Sequence, residues 1–426
     1  MATIKPFKAL VYNQEKINKL ADVVCPPYDV ISPSRQDYFH QLHPNNFIHI
    51  LLGKDIDGED KYVRAGKIFK EWQADNVFVQ DAKPTIYFYT QQYKIQGETR
   101  TRFGFISLLR LEDKDTSVFK HELTRSAPKE DRLKLLKQVH ANLSPIFVVF
   151  MDKKKIIQRT YNKVLKNSPA SFEVTDDEKT VHKIWRIDSA ELLKQFEEAM
   201  AKENMFIADG HHRYEVACAY RDQMRKLLGQ TQEDESFNYV LSYFTNTDPR
   251  GLSILAIHRL IKLDKQLDLK AFIEKLREYF EVEEIKDKAK LFFLMQKGGR
   301  SEHMLGVYKD KRYWLLRLKN VRILDKEMKD KSKEYRTLDV SILNQIVFKN
   351  ILGIEVENKE NITYNPDSEE FINRVDNDPS LIAFFLNPVK VQEIIAVALN
   401  GERMPAKSTY FYPKVLSGLV INKHEG

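Results

Sequence analysis

The spacing of apolar residues alternates between two periods from the start of the chain, and this alternation predicts a mixed α/β fold. An apolar run at residues 47–52 indicates a buried strand, and apolar residues at helical spacing over about 60–73 indicate an amphipathic helix. Two aromatic-rich runs, 85–93 and 101–111, predict a long hairpin around residues 96–98. Strands and helices in this order are typical of a sheet covered by helices.

The pattern of residues changes at about Lys262, where the sequence begins to predict charged helices alternating with short strands. We therefore predict an α/β core at residues 1–261 and a second α/β portion at residues 262–426. The segment 401–414 of the second portion is expected to return to the functional site of the core. A chain of 426 residues is long for one hydrophobic core, which supports this division.

Composition adds limits on the partners of the protein. The hydrophobic content of 42% and charged content of 30% are ordinary for a globular protein. The 68 basic residues against 61 acidic ones give a net charge of +7, which permits anionic ligands without demanding nucleic acid. Two cysteines fit a reducing compartment, and no run approaches the roughly 20 apolar residues of a membrane helix. We expect a cytoplasmic protein with no membrane span.

The stretch from Met205 to Ala217 places polar residues at a sharp turn. Three apolar residues predict the end of a buried strand, Asp209 and Gly210 predict the turn, and His211-His212-Arg213 begin a run at helical spacing. The first amides of such a helix have no partners inside it and carry the positive end of its dipole, so they can hold a phosphate. Arg213 and a protonated histidine would add charge-assisted hydrogen bonds. The simpler alternative is an aspartate N-cap, a turn glycine and two surface histidines.

Three more segments carry candidate chemistry, and each has an ordinary structural alternative. Asp29 follows the rigid Pro26-Pro27 pair and is presented from a stiff loop. Glu122 lies in a polar segment that could line a site, although a solvated loop entering a helix is the favoured interpretation. Lys407-Ser408-Thr409 follow Gly401 at nearly the spacing of a P-loop, but a helix precedes them and an extended run follows, which excludes that motif. They can still bind phosphate, or form a solvated connector.

The candidate metal ligands in this sequence are carboxylate oxygens, which suit Mg²⁺ better than zinc. Asp209 could bind Mg²⁺ or accept a proton from a hydroxyl nucleophile. Zinc is not expected, because His211 and His212 point in different directions on a helix and neither cysteine has a partner at zinc-ligand spacing.

Motifs over nearly the whole chain resemble those of the prokaryotic family catalogued as domain of unknown function ten-fifteen. The matching motifs are Val24–Val30, His121–Thr124, Lys129–Arg132, Ser144–Phe147, Ala208–Tyr214, His258-Arg259, Leu338–Val340, Met404-Pro405 and Lys407–Lys414. The name of this family implies no settled activity.

The turn at residues 209–213 is also similar to the nucleotide-site motif of the ParB and sulfiredoxin superfamily, which includes partition-protein CTPases, sulfiredoxin and free-serine kinases. The resemblance implies a ParB/sulfiredoxin-like core that binds a nucleotide or its phosphates at this turn. Sulfiredoxin has its catalytic cysteine where this chain has His211, so reduction of sulfinic acids is not expected. The sequence has neither the helix-turn-helix nor the basic DNA surface of partition proteins.

The resemblance implies phosphoryl transfer from ATP or ADP to a small hydroxyl metabolite, with free serine as the leading acceptor. Phosphates are expected on the amides after Gly210, where Arg213 and His212 neutralise charge and Mg²⁺ bridges to a carboxylate. The candidate Mg²⁺ ligands are Asp209 and Glu122. The residues expected to position or deprotonate the acceptor hydroxyl are Asp29, Glu122 and Asp209. The residues expected to close over the phosphates are Lys407, Ser408 and Thr409.

Two other functions use the same anion site and stay open. One is a non-catalytic regulator that binds a nucleotide or a phosphorylated metabolite. The other is ParB-like nucleic-acid binding or cleavage, which predicts steeply salt-dependent affinity for DNA and is not favoured by the mild charge. The expected partners are therefore a nucleotide and a small molecule, and a homodimer is left open.

Overall fold

The computed structural model describes residues 2–113, 117–124, 126–229, 232–299, 301–355 and 361–424. The chain divides into two compact units. Unit 1 contains Met1–Lys120, Thr124–Ser253 and Pro413–Gly426, and unit 2 contains His121–Leu123 and Ile254–Tyr412. Over the described residues the fold is mixed α/β, with a mixed sheet in unit 1 and an antiparallel sheet in unit 2, which confirms the predicted fold class. The boundary between residues 261 and 262 stays a prediction about separately folding domains.

The elements of secondary structure are numbered in chain order. The strands are β1 (Ile4–Lys5), β2 (Leu10–Tyr12), β3 (Phe78–Gln80), β4 (Ile86–Ile95), β5 (Glu98–Arg110), β6 (Val118–Phe119), β7 (Ala141–Asn142), β8 (Ile146–Phe150), β9 (Phe172–Thr175), β10 (Val181–Ile187), β11 (Met205–Asp209), β12 (Tyr239–Asn246), β13 (Ser253–Leu255), β14 (His258–Lys262), β15 (Phe280–Ile285), β16 (Met304–Lys309), β17 (Arg312–Leu318), β18 (Ile362–Asn365), β19 (Leu381–Phe385), β20 (Tyr410–Tyr412) and β21 (Asn422–Lys423). The α-helices are α1 (Pro33–Leu42), α2 (Ile48–Leu51), α3 (Lys61–Ala74), α4 (Ser126–Val139), α5 (Ile156–Thr160), α6 (Ala190–Met200), α7 (His211–Leu228), α8 (Leu269–Tyr279), α9 (Lys288–Gly298), α10 (Ile323–Glu327), α11 (Lys333–Arg336), α12 (Asp339–Ile342), α13 (Ser368–Asn377) and α14 (Val391–Leu399). Short 3₁₀ helices cover Leu20–Asp22, Tyr28–Val30 and Ser236–Asn238, and π-helical turns cover Tyr161–Leu165 and Leu343–Ile351.

Unit 1 is organised around a mixed sheet with the strand order β6-β11-β8-β12-β5-β4-β10-β9, and β1 pairs with β5. Strand β11 runs parallel to β6 and antiparallel to β8, while β12 runs parallel to β8. Apolar residues of the sheet form one core that includes Phe105, Val148 and Ile207, and Tyr214 and Ala217 of α7 pack into it. The start of α7 is therefore fixed to the end of a buried strand.

Unit 2 has its own sheet, with the strand order β15-β17-β16-β19-β14-β18. Its core joins Leu260 of β14 and Phe385 of β19 to Leu291 and Met295 of α9 and to Phe371 of α13. The second unit thus buries a separate apolar core with helices against a sheet. None of the helices in the described part of either unit combines the length and hydropathy needed to span a bilayer.

Most predicted elements are present, and two expectations are wrong. The hairpin is β4 and β5, the amphipathic helix is α3, and the strand, turn and helix around Asp209 are β11 and α7. Residues 47–52, expected to be a strand, contain helix α2. The side chain of Asn46 accepts a hydrogen bond from the Ile48 amide at 2.9 Å and begins a helical turn, while the short apolar run has no period of its own. The spacing of apolar residues after Tyr214 also predicts that Leu227 or Leu228 lies on the buried face of α7. Both are exposed, by 78% and 52%, because they follow the last buried turn of the helix.

Candidate functional site

The turn between β11 and α7 is shaped by a glycine in a left-handed conformation. Asp209 still pairs with Phe147 of β8, after a register shift that follows Ile207. Gly210 then has a φ of 87°, which β-substituted residues rarely adopt. A Cβ atom at Gly210 would lie 3.0 Å from the guanidinium of Arg213, so the glycine also gives that side chain room.

Helix α7 begins directly after this glycine. The Tyr214 amide donates to the Gly210 carbonyl at 2.9 Å, and this is the first hydrogen bond of the helical ladder. The amides of residues 211–213 lie ahead of it, at the positive end of a helix of 18 residues. His211 is buried and His212 is half-buried. The turn therefore has the helix start that the predicted anion site requires.

The Asp209 carboxylate lies between two cations. Its Oδ2 accepts a hydrogen bond from Lys414 Nζ at 2.6 Å, and its Oδ1 accepts one from Arg213 Nη2 at 3.3 Å. The three side chains are only 12–14% exposed. Burial alone would raise the pKa of the Asp209 carboxyl, but Lys414 and Arg213 together hold that pKa well below its usual range. Asp209 is therefore ionised at neutral pH and is a weak base.

Both cations are held by the surrounding backbone as well. Arg213 also donates through Nη1 to the Pro145 carbonyl, just before β8. Lys414 belongs to the C-terminal segment of unit 1, and its carbonyl accepts a hydrogen bond from Gln91 Nε2 of β4 at 2.8 Å. The two positive charges thus come from distant parts of the chain and meet at one carboxylate.

A pocket beside the turn is lined by both polar and apolar residues of unit 1. It encloses about 490 Å³ when its open mouth is included, and its lining contains Tyr28, Arg132 and Arg213 together with leucine and valine side chains. The Arg132 guanidinium lies over the Tyr28 ring, 4.4 Å from its centroid. Burial, and then the nearby charge of Asp29, raise the pKa of Tyr28 to about 12, against the opposing effects of Arg213 and Arg132. The Tyr28 hydroxyl is therefore a protonated donor near this turn.

Tyr28 connects the segment of Asp29 to the turn. Both residues lie in the 3₁₀ helix Tyr28–Val30 that follows Pro26-Pro27, and Tyr28 lines the same pocket as Arg213. The Asp29 side chain is exposed. Two of the predicted segments therefore meet within unit 1.

The remaining predicted residues lie together in unit 2. Glu122 Oε1 accepts a hydrogen bond from the Lys407 amide at 3.3 Å, and its carbonyl accepts one from Arg403 Nη1 at 3.3 Å. The Ser408 hydroxyl donates to the Pro405 carbonyl at 2.5 Å, and Thr409 Oγ1 lies 3.4 Å from His121 Nε2. These hydrogen bonds of the second cluster therefore stabilise the loop that contains Lys407, Ser408 and Thr409.

The predicted Mg²⁺ ligands Asp209 and Glu122 stay predictions. Both oxygens of Asp209 accept hydrogen bonds from cations, from Arg213 and from Lys414. Within the described ranges, no group of three or more His, Cys, Asp or Glu side chains could hold a metal ion.

Three residues at the turn were missed as candidates by reasoning from the sequence, namely Tyr28, Arg132 and Lys414. Each lies inside a motif that carried the family resemblance, at Val24–Val30, Lys129–Arg132 and Lys407–Lys414. Membership of those motifs is the feature of the sequence that could have identified these three residues as candidates. Nothing in local spacing indicates that Lys414 would reach Asp209, 205 positions earlier in the chain.

A family profile described as "Protein of unknown function (DUF1015)" matches residues 4–341. The chain belongs to the DUF1015 family. This confirms the family resemblance of the sequence motifs. Among curated protein sequences, none matches this DUF1015 chain.

Solved structures give only distant likenesses to the DUF1015 chain. A free serine kinase mutant in complex with ADP is 12% identical, with a TM-score of 0.36, over 72% of this chain and 87% of that one. A conserved hypothetical protein from Pyrococcus furiosus is 13% identical, with a TM-score of 0.35, over 73% and 92% of the two chains. SbnI with a C-terminal truncation, from Staphylococcus aureus, is 12% identical, with a TM-score of 0.37, over 74% and 86%. At these scores the likenesses carry no argument about function.

Proposed function

We propose that this DUF1015 protein is a nucleotide-dependent phosphotransferase that binds the phosphates of ATP or ADP at the turn 209–213. The observation that carries the proposal is the combination of a left-handed Gly210, the first amides of α7 and the partly buried cations Arg213 and Lys414. Amides and cations together are the groups that hold phosphoryl oxygens. The acceptor is a small hydroxyl metabolite, and free serine is the leading candidate because of the motif resemblance.

Asp209 has a positioning role in this proposal. Phosphoryl transfer depends mainly on positioning and on stabilising charge in the transition state, so a weakly basic carboxylate is compatible with it. Asp209 orients Arg213 and Lys414 and keeps both side chains near the helix start. Asp29 is the candidate within unit 1 for contacting the acceptor hydroxyl, because it is exposed and adjoins Tyr28 at the pocket. His212 stays a candidate for neutralising phosphate charge.

The residues of unit 2 stay candidates with roles to be tested. Glu122 stays a candidate for the acceptor hydroxyl, and Ser408 and Thr409 stay candidates for the phosphates. Lys407 is a weaker candidate than the cations of the turn, because its side chain is exposed. Single substitutions of these residues, measured for turnover and for nucleotide affinity, test each role.

The proposal is tested by incubating the purified full chain with ATP or ADP and a panel of hydroxyl compounds that includes serine. Phosphorus NMR should detect a phosphate ester of one acceptor, formed in the same amount as the nucleotide that is consumed. Failure to transfer or hydrolyse phosphate with every nucleotide and acceptor of a broad panel would exclude the enzyme.

A regulator that binds a nucleotide without turnover is the second candidate, and the ion pairs of Asp209 favour it, since they remove an obvious base from the site. The variant Asp209→Asn separates the two functions. If the protein is an enzyme, this variant should lose at least about 10-fold in turnover, because the cations lose their fixed positions, but it keeps both cations and should still bind the nucleotide. Asp248→Asn is the matched control, since Asp248 pairs with the exposed Arg250. Turnover that is absent from the native protein, together with firm nucleotide binding, would favour the regulator.

A further inference from the structure

The C-terminal strap, defined here as residues 413–424, fixes the backbone of Lys414 on unit 1. The Pro413 carbonyl accepts a hydrogen bond from Arg102 Nη2 at 2.5 Å, and the Ser417 amide donates to the Cys25 carbonyl at 2.8 Å. Further along, β21 of the strap pairs with β7. The strap is thus attached at both ends of its course, and the position of Lys414 is set by the fold.

A buried arginine contributes to this attachment. Arg102 of β5 is 1% exposed, and its guanidinium lies 4.6 Å from the ring centroid of Phe147. It donates to Gln91 Oε1 as well as to the Pro413 carbonyl, and Gln91 in turn donates to the carbonyl of Lys414. Burying a cation is costly unless its donors are hydrogen-bonded. The hydrogen bond from Arg102 to the Pro413 carbonyl, next to Lys414, therefore holds this part of the strap on the sheet.

The charges at the turn are unequal. Arg213 and Lys414 share the single carboxylate of Asp209, and the three side chains are 12–14% exposed. The neighbouring Arg132 is paired with Asp131 and changes this balance little. Two partly buried cations that share one carboxylate are a favourable place for an anion, and the first turn of α7 begins at the same residues.

We propose that Lys414 is the phosphate-binding lysine of this site, delivered by the C-terminal strap and held ready on Asp209. The inference rests on the proposed function and assigns a ligand contact to a residue outside the predicted site. When phosphate binds, the Lys414 ammonium exchanges or shares its contact with Asp209 Oδ2 for a phosphate oxygen. The long side chain allows this movement while the backbone stays in place. Lys407 has a different environment, because its carbonyl is bound by Arg259 in unit 2 at 3.0 Å.

The test compares adenosine, AMP, ADP and ATP as ligands of the full chain, by calorimetry or ligand-observed NMR. Lys414→Met should weaken binding of the phosphate-bearing ligands by about 10- to 100-fold, the usual effect of losing a charged hydrogen bond, and should leave adenosine unchanged. Lys414→Arg should restore most of the affinity. Lys423→Met is the matched control, because Lys423 is an exposed lysine of the same strap.

Each other result has a definite meaning. Equal weakening of adenosine and the phosphate-bearing ligands would assign Lys414 a merely structural role, and undiminished binding by Lys414→Met would also overturn the proposal. If the native protein binds none of the phosphate-bearing ligands, the proposed function itself fails, and the role of Lys414 fails with it. If Lys414→Met does not fold, as judged by circular dichroism, Lys414→Gln and Lys414→Arg carry the same comparison.

Discussion

The turn at residues 209–213 in unit 1 and the loop at residues 403–409 in unit 2 both carry residues predicted to bind phosphate, but they use their backbone groups differently. In the loop, the Met404 amide donates to the His121 carbonyl at 2.7 Å and the Lys407 amide donates to Glu122. The Ser408 hydroxyl also donates inside the loop. In the turn, the helical ladder begins at Tyr214, so the preceding amides lie at the open end of α7.

The difference shows why residue type alone does not identify a phosphate site. A lysine, a serine and a threonine in sequence suggest phosphate binding, but their donors are partly used when they stabilise an irregular loop. A helix start leaves several donors aligned in one direction and adds the helix dipole. We therefore expect the turn of unit 1 to bind an anion more tightly than the loop.

The largest effect on this comparison is expected from removing one cation from each region. Arg213→Gln should weaken ADP or ATP binding by about 10- to 100-fold, because it removes a charge-assisted hydrogen bond at a side chain that is 12% exposed. Lys407→Gln should change the affinity less than about threefold, because an exposed lysine interacts through water. Titration calorimetry at fixed salt measures both values. Equal losses for the two variants would show that the regions do not differ in the way described.

A smaller effect is expected from adding one methyl group at each of two glycines. Gly210 and Gly401 both have left-handed backbones, with φ of 87° and 71°, so alanine should cost about 1–2 kcal/mol of unfolding free energy at either position. Only at Gly210 does the added Cβ meet a functional side chain, the guanidinium of Arg213 at 3.0 Å. At Gly401 it meets nothing within 4 Å.

Gly210→Ala should therefore lose nucleotide affinity in addition to stability, whereas Gly401→Ala should lose stability alone. Urea denaturation and a binding titration on the same samples separate the two quantities. Nucleotide binding by Gly210→Ala at the native affinity would mean that the arginine can move away without loss, and the turn would then tolerate more change than its geometry suggests.

The sequence predicted the turn well because its signals are local. The apolar residues before Asp209, the glycine and the helical spacing after it all lie within a short window, and β11 and α7 follow that pattern. The same method predicted the wrong structure for residues 47–52, because a short run of buried residues shows neither helical nor strand periodicity. The hydrogen bond from the Ile48 amide to the Asn46 side chain favours the helical turn there. Lys414 and Tyr28 could not be assigned from spacing, because their place at the turn depends on the packing of distant segments.

The smallest expected effect concerns the dependence of stability on pH. The folded pKa of Asp209 lies well below the unfolded value of about 3.9, so its ion pairs contribute stability that is complete above that value and is lost as the pH falls toward the folded pKa. Asp209→Asn has no carboxylate to protonate and leaves Arg213 and Lys414 without their shared partner. It should therefore be less stable than the native protein at pH 7, and the difference should shrink as the pH is lowered from about 5 to 3.

Urea midpoints at pH 7, 5, 4 and 3 measure this difference, and Asp248→Asn is the appropriate control. The pKa of Asp248 is also lowered, first by its hydrogen bond from Arg250, but that arginine is 87% exposed and solvent screens the pair. Asp248→Asn should therefore lose less stability at pH 7 and change less with pH. A difference between native protein and Asp209→Asn that stays constant over this range would mean that the two cations gain nothing from the charge of Asp209. The carboxylate would then act through its hydrogen bonds alone, and the contrast with the loop of unit 2 would reduce to the amides at the start of α7.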